Sequence, residues 1–264
     1  MERDVQKYFE LGLAVSTKKT YRAGINKFVQ FCASYNIASP LPVSQSLLCL
    51  FISHLANVGL SYGTIKTYLA AVRHLQISMN LPEPRSVPMP KLALVERGIR
   101  RLGASSRRTR SRLPITPCIL RQIKALWSRE AICYDTIMLW AACCTAFFGF
   151  FRMGEVTCST SDGRSSEHCV SVADIAVDST QEPSVIKIHL RSSKTDQFRQ
   201  GVDIFLGRIG QDLCLVSALL AYLAVRGSAP GPLFRLRDGR YLTKEVFITR
   251  VREALSVLGY DEES

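Results

Sequence analysis

Arg152 follows the longest apolar stretch of the chain, residues 137–151, and Glu155 lies three positions beyond it. A guanidinium beside such a stretch is costly unless it is paired or faces a functional cleft. Its planar fork can bind two oxygens of a phosphate or a carboxylate. A plainer interpretation places Arg152 at the C-terminal end of a helix, paired with Glu155 at spacing i+3. Residue types alone favour this plainer pair.

A second candidate, Lys194, lies in the polar segment 192–197, between two runs rich in β-branched residues at 185–190 and 202–206. Polar residues that join two such runs are typical of a hairpin loop, so Lys194 is predicted to project from a β-turn. A solvated turn lysine is the ordinary alternative for this residue.

The first hundred residues are predicted to be helical, because apolar residues recur there at spacings of three and four without strand-like alternation. Ser44 and Ser61 stand where two helices are expected to begin, and prolines end the second of these at residues 82 and 84. The predicted helices span residues 16–35, 44–59, 61–79 and 91–102. The sequence therefore predicts a small, mainly α N-terminal bundle.

A change of composition separates this bundle from the rest of the chain. Residues 103–112 carry no large apolar side chain and include four arginines, Arg107, Arg108, Arg110 and Arg112. This pattern is typical of an exposed basic linker. The predicted domains are residues 1–102, a linker at 103–113, and a second domain at 114–264.

The second domain mixes both kinds of element. Amphipathic or apolar helices are predicted at residues 118–128, 131–150, 213–225 and 244–258, and strands at 170–177, 185–190 and 202–206. Helices followed by strands and then helices predict an α+β domain with a small antiparallel three-stranded sheet.

The chain is basic: 34 Lys and Arg against 22 Asp and Glu give a net charge of +12 over 264 residues. Such a charge favours a polyanionic partner such as nucleic acid or an anionic membrane surface. The apolar stretch at residues 137–151 is too short to cross a membrane as a helix, which makes a membrane the weaker option. The nine cysteines include no C-x-x-C pair, and the spacing of Cys158, His168 and Cys169 is a poor match to a zinc site. We expect reduced thiols in an intracellular protein with no metal and no cofactor.

Several of these segments together resemble the tyrosine recombinases of the phage-integrase family. FFRMGEV, with Arg152, Gly154 and Glu155, resembles the first arginine box, and SKTDQ resembles the turn with the lysine. TKKTYRAGINKFVQFC and SYGTIKTYLAAVRHL resemble the helices of the SAM-like core-binding domain. The combination is most similar to the integrases of eukaryotic mobile elements, which implies a nuclear location in a eukaryotic host.

The resemblance implies that double-stranded DNA is the partner, bound by an oligomer in a full-length form, and that strands are cut and rejoined without metal or nucleotide. In this family a tyrosine attacks the phosphodiester and forms a 3′-phosphotyrosyl link. Arg152 would neutralise the phosphate oxygens, Lys194 would act as general acid, and Glu155 would support the arginine.

The resemblance ends before the nucleophile. None of the four histidines begins an H-x-x-R box, and Tyr260 stands ahead of the expected place of that box. The catalytic domain is therefore expected to be incomplete at its C-terminus. We predict that these 264 residues alone cannot cleave or join DNA.

Phosphate contacts are predicted on the bundle and on the linker, with strongly salt-dependent binding. On the bundle, the candidates are Lys18, Lys19, Arg22, Tyr62, Lys66 and Arg73. Ordinary solvated helix faces are the alternative for each of them. Two other functions stay open: a non-catalytic DNA-binding or regulatory module derived from a mobile element, and a generic basic module that binds RNA or protein.

Overall fold

The structure is a computed structural model that describes residues 1–82, 88–106, 114–129, 133–163, 168–193, 196, 200–210 and 212–260. Lys194 and the four linker arginines lie outside these residues. The chain divides into two compact units, Met1–Thr109 and Arg110–Ser264. Among the described residues, no helix combines the length and the apolar character needed to cross a membrane.

The first unit is helical, as predicted. Its helices are α1 (Glu2–Leu11), α2 (Val15–Ser34), α3 (Gln45–Asn57), α4 (Tyr62–Ser78) and α5 (Pro90–Ser106). The hydroxyls of Ser44 and Ser61 accept the backbone N–H groups of Leu47 and Thr64, each at 3.2 Å, and so cap α3 and α4. Helix α1 was not predicted, and α5 continues four residues past its predicted end at residue 102.

A close approach of α2 and α4 determines which side of α4 is exposed. Gly24 allows it, because a Cβ at this position would lie 2.8 Å from the Cβ of Ala71. Phe28 of α2 and Ile65 of α4 are buried in the same apolar core. The opposite side of α4 is left to solvent.

The second unit contains all three predicted strands within a mainly helical frame. Its elements are α6 (Pro117–Arg129), α7 (Tyr134–Phe148), α8 (Met153–Val156), a 3-10 turn (Val172–Asp174), β1 (Ile175–Val177), β2 (Val185–Leu190), β3 (Val202–Gly207), α9 (Leu215–Arg226) and α10 (Lys244–Val257). The sheet is antiparallel with the order β1-β2-β3, which confirms the predicted fold class. Ile186 and Ile188 of β2 pack in one core with Met138 of α7 and Leu219 of α9.

The end of the long apolar helix differs from the prediction. Helix α7 ends at Phe148 rather than at residue 150, and Arg152 is the N-cap residue of the separate short helix α8. The chain changes direction between the two helices, since Phe150 has a φ of +52°. Arg152 therefore does not lie at the C-terminal end of a long helix, and the dipole of α7 does not explain its position.

The first predicted strand is also shorter than expected. Residues 172–174 form the 3-10 turn, because a carboxylate oxygen of Asp174 accepts the backbone N–H of Ser171 at 2.8 Å. Only residues 175–177 remain to pair with β2.

Candidate functional site

The centre of the candidate site is Arg152, which is bound at two atoms by the buried carboxylate of Glu155. Glu155 Oε2 accepts the backbone N–H of Arg152 at 2.7 Å, and Oε1 accepts Nη1 of the guanidinium at 3.1 Å. The side chain of Glu155 is 6% exposed, whereas that of Arg152 is 51% exposed. The carboxylate thus caps α8 and holds one edge of a guanidinium that still reaches solvent.

A second segment of the chain attaches directly to this centre. The backbone N–H of Val170 donates to the carbonyl oxygen of Glu155 at 2.9 Å. Beside it, the sulfur atoms of Cys158 and Cys169 lie 3.5 Å apart, and both residues are buried. No group of metal-ligating side chains that could hold an ion occurs among the described residues.

Arg191 forms a second arginine–carboxylate pair, which was not predicted from the sequence. Its Nε donates to Asp174 Oδ1 at 2.7 Å, and its Nη2 donates to the hydroxyl of Ser171 at 2.7 Å. Asp174 is almost fully buried while the Arg191 side chain is 52% exposed, an arrangement similar to that of Arg152 and Glu155. In the sequence, the spacing Ser171-x-x-Asp174 is typical of a helix cap, and it was the available signal for a buried Asp174. This pattern does not predict which arginine pairs with Asp174.

The connection between β2 and β3 is a hairpin, as predicted, and polar contacts hold both of its ends. Leu190 pairs with Val202 as the last register position. On the β2 side, the Ser192 hydroxyl lies 2.6 Å from Nδ1 of His168. On the β3 side, the Asp196 carboxylate accepts the backbone N–H of Gly201 at 2.9 Å. Lys194 lies within this connection but outside the described residues, so its role stays a prediction.

In the first unit, the beginning of α4 borders two grooves. One has a volume of about 580 Å³ and lies against α2, where Lys19 and Thr20 face Ser61, Gly63 and Thr64. Hydroxyl groups, a lysine and the N-terminal turn of a helix are groups that can bind an anion. The structure therefore brings Lys19, a predicted phosphate contact, together with the N-terminal end of α4.

The other groove, of about 480 Å³, lies between α4 and α5. Tyr62 lines it and donates its hydroxyl to Glu96 at 3.2 Å. Arg97 and Arg100 line it as well, and both are exposed. These two arginines were not predicted as contacts, although their spacing of three on a predicted helix was a usable signal.

The remaining predicted contacts of the first unit are exposed side chains on its helices. These are Lys18 and Arg22 on α2, and Lys66 and Arg73 on α4. Lys66 and Arg73, seven positions apart, share one exposed face of α4 that points away from the buried Ile65 and Val72, as expected from their spacing. None of the four lines either groove.

Comparison with known proteins identifies the fold. Residues 7–77 match the family model described as "Phage integrase, N-terminal SAM-like domain". The structure is similar to that of the XerH site-specific recombinase bound to difH substrate, with 16% identity, a TM-score of 0.59 and coverage of 93% of this chain and 63% of that chain. The chain has the fold of the tyrosine recombinases.

The lambda integrase dimer bound to a COC′ core site has the same tyrosine-recombinase fold, with 12% identity, a TM-score of 0.55 and coverage of 99% of this chain and 64% of that chain. The chain thus spans slightly less than two thirds of both structures. No curated protein matches its sequence. The resemblance to tyrosine recombinases that the motifs predicted is confirmed.

Proposed function

We propose that the chain is a DNA-binding protein of DNA recombination or integration, in which Arg152 binds the non-bridging oxygens of a phosphodiester. The observation that carries this proposal is the half-exposed guanidinium held by a buried carboxylate within a tyrosine-recombinase fold. Two similar structures were determined with a difH substrate and with a COC′ core site. The net charge of +12 suits a polyanionic partner.

The chemistry at Arg152 follows from its pairing with Glu155. Because Glu155 fixes one guanidinium nitrogen, the outer edge of the guanidinium is pre-oriented toward a ligand and loses little freedom on binding. A guanidinium in this position stabilises the negative charge that develops on phosphate oxygens during strand cleavage. Glu155 is a positioning residue in this scheme, since it acts through Arg152.

Lys194 is proposed as the general acid that protonates the leaving 5′-oxygen. The contacts of His168 with Ser192 and of Asp196 with Gly201 support it, because they tether the connection in which Lys194 lies. The scheme needs no metal or nucleotide. None of the histidines in these 264 residues begins an H-x-x-R box, and we propose that none of their tyrosines acts as the nucleophile.

The proposal is tested by measuring binding to duplex DNA by fluorescence anisotropy at several salt concentrations. Arg152→Ala is expected to weaken binding and to reduce the slope of log K against log salt by about 1, because one phosphate contact is lost. Arg152→Lys should retain part of the affinity. Arg250→Ala, which removes an exposed arginine of α10, is the control and should bind like wild type. Equal binding by wild type and Arg152→Ala would contradict the proposal.

The linker provides a separate measurement. Replacing Arg107, Arg108, Arg110 and Arg112 by serine is expected to reduce the salt slope by several units, if each arginine releases a counterion. An unchanged slope would show that the linker arginines do not contact DNA, and the proposed role of Arg152 would stand.

Strand cleavage is tested with a suicide substrate. We expect no covalent DNA adduct from residues 1–264, since covalent catalysis depends on the nucleophile. An adduct would instead place a nucleophile within these residues, and Tyr260→Phe would be the first variant to make.

A non-catalytic DNA-binding module remains the second candidate, and a basic RNA-binding module the third. The net positive charge fits all of them. Gel shifts with duplex DNA and with structured RNA at two salt concentrations separate the last from the others, because preferred binding to RNA would contradict both DNA-based functions.

A further inference from the structure

Phe150 combines two features that are unfavourable in a folded protein. Its φ of +52° lies in the left-handed region, which a bulky residue other than glycine rarely adopts. Its side chain is 92% exposed, the highest exposure of any large apolar residue described except Met1. A strained backbone that presents an apolar ring to solvent is a sign of function.

The neighbours of Phe150 explain how this arrangement is maintained. Phe151 is buried, and its ring lies so close to Gly149 that a Cβ there would be 2.3 Å from the Cε2 atom of Phe151. Gly149 also ends α7 by donating its backbone N–H to the carbonyl oxygen of Thr145 at 3.1 Å. Burial of Phe151 against a glycine therefore turns the intervening Phe150 outward.

Phe150 also lies close in the chain to Arg152, the residue that is proposed to bind a phosphate. The Cα atoms of two residues that are two positions apart lie at most about 7 Å from each other. The side chains of Phe150 and Arg152 can therefore reach the same nucleotide. Next to each phosphate, DNA carries a deoxyribose and a base, which offer apolar surface and a π-face to an aromatic ring. The exposed guanidinium of Arg152 favours this anionic partner over an apolar protein surface.

We propose that Phe150 is a DNA-contacting residue, whose ring packs against the sugar and base beside the phosphate that Arg152 binds. This inference rests on the proposed function of Arg152. It adds an apolar contact that does not depend on salt to an electrostatic contact that does.

Phe150→Gly tests the proposal, because glycine removes the ring and relieves the positive φ at the same time. The variant should unfold at the same temperature as wild type or higher, yet bind duplex DNA about fivefold or more weakly. Its salt slope should equal that of wild type, whereas the slope of Arg152→Ala should be smaller. Phe150→Trp, which keeps an aromatic ring, should restore binding to near the wild-type level.

The outcomes separate this inference from the proposed function. If Phe150→Gly binds DNA like wild type while Arg152→Ala binds weakly, Phe150 is not a DNA contact and the function of Arg152 stands. If neither variant weakens binding, the proposed function fails as well. If Phe150→Gly changes the oligomeric state in sedimentation without changing DNA affinity, the ring contacts another protein copy, and the inference is overturned.

Discussion

Arg152 and Glu155 are joined through both backbone and side chain, with distances of 2.7 Å and 3.1 Å. Arg250 and Glu253 have the same sequence spacing but share a single contact of 3.4 Å between exposed side chains. Identical spacing therefore gives two different interactions. In the first, a buried carboxylate replaces water at the start of α8. In the second, the two charges remain solvated, and the pair contributes little to stability.

This difference predicts the effects of two alanine substitutions. Glu155→Ala removes a helix cap and a charge-assisted hydrogen bond and should lower the free energy of unfolding by about 1–3 kcal/mol. Glu253→Ala should change it by less than about 0.5 kcal/mol. Urea unfolding followed by circular dichroism measures both. Equal losses in the two variants would contradict the distinct role of Glu155.

The helices and the sheet could be predicted because their signals are local. Periodicity of three and four residues located α3 and α4, and β-branched runs located β2 and β3. The turn at Phe150 could not be predicted, because no local propensity favours a positive φ at phenylalanine, and only the packing of Phe151 produces it. The helix was therefore extended wrongly to residue 150.

The candidate site divides in the same way. Arg152 and Glu155 were found because they are close in sequence and belong to one motif. Arg191 was missed because its partner Asp174 is seventeen positions away and meets it only through the pairing of β1 with β2. Pairs of this kind require the tertiary structure.

Two glycines near the site should respond in opposite directions to alanine. Gly149→Ala would place a Cβ 2.3 Å from the Phe151 ring and 2.9 Å from the Thr145 carbonyl oxygen. We expect this overpacking to cost about 1–3 kcal/mol of unfolding free energy. Gly154→Ala meets no atom within 4 Å and lies in α8, so it should stabilise by about 0.5–1 kcal/mol.

Thermal unfolding monitored by circular dichroism compares the two glycine variants. The pair Gly149→Ala and Phe151→Leu should be less destabilising than the sum of the two single changes, because the smaller leucine relieves the clash. Strict additivity would show that the ring of Phe151 does not limit position 149.

Arg226 is a buried cation that is held by backbone carbonyl groups. Its guanidinium donates at 2.7–3.1 Å to the oxygens of Gly227, Ala229, Pro232 and Leu233. Arg226→Met keeps the apolar stem but removes the guanidinium donors, and among the described residues only the Leu233 oxygen keeps another donor, the Tyr222 hydroxyl at 3.0 Å. The unfolding free energy should therefore fall by about 2 kcal/mol or more. Arg226→Lys should be intermediate, since an ammonium cannot reproduce the planar fork.

The matched control for Arg226 is Arg240→Met, which removes an exposed arginine paired with Asp238. This variant should leave the unfolding free energy almost unchanged, because the pair is exposed to solvent. Denaturant unfolding at neutral pH measures the difference. A loss at position 226 no larger than that at position 240 would show that water replaces the guanidinium at little cost.

Asp178 makes the stability of the β1–β2 hairpin depend on acid pH. The Ser184 hydroxyl and the backbone N–H groups of Val185 and Ser184 donate to its carboxylate and lower its pKa to about 2. A carboxyl group whose folded pKa lies below its unfolded pKa of about 4 stabilises the protein above pH 4 and loses this contribution as the pH falls toward 2. Thermal unfolding should therefore show wild type more stable than Asp178→Asn at pH 5, with the difference shrinking between pH 4 and pH 2.

Ser184→Ala removes the main donor, raises the pKa of Asp178 and should shift this loss to higher pH. A difference between wild type and Asp178→Asn that stays constant from pH 5 to pH 2 would contradict the assignment.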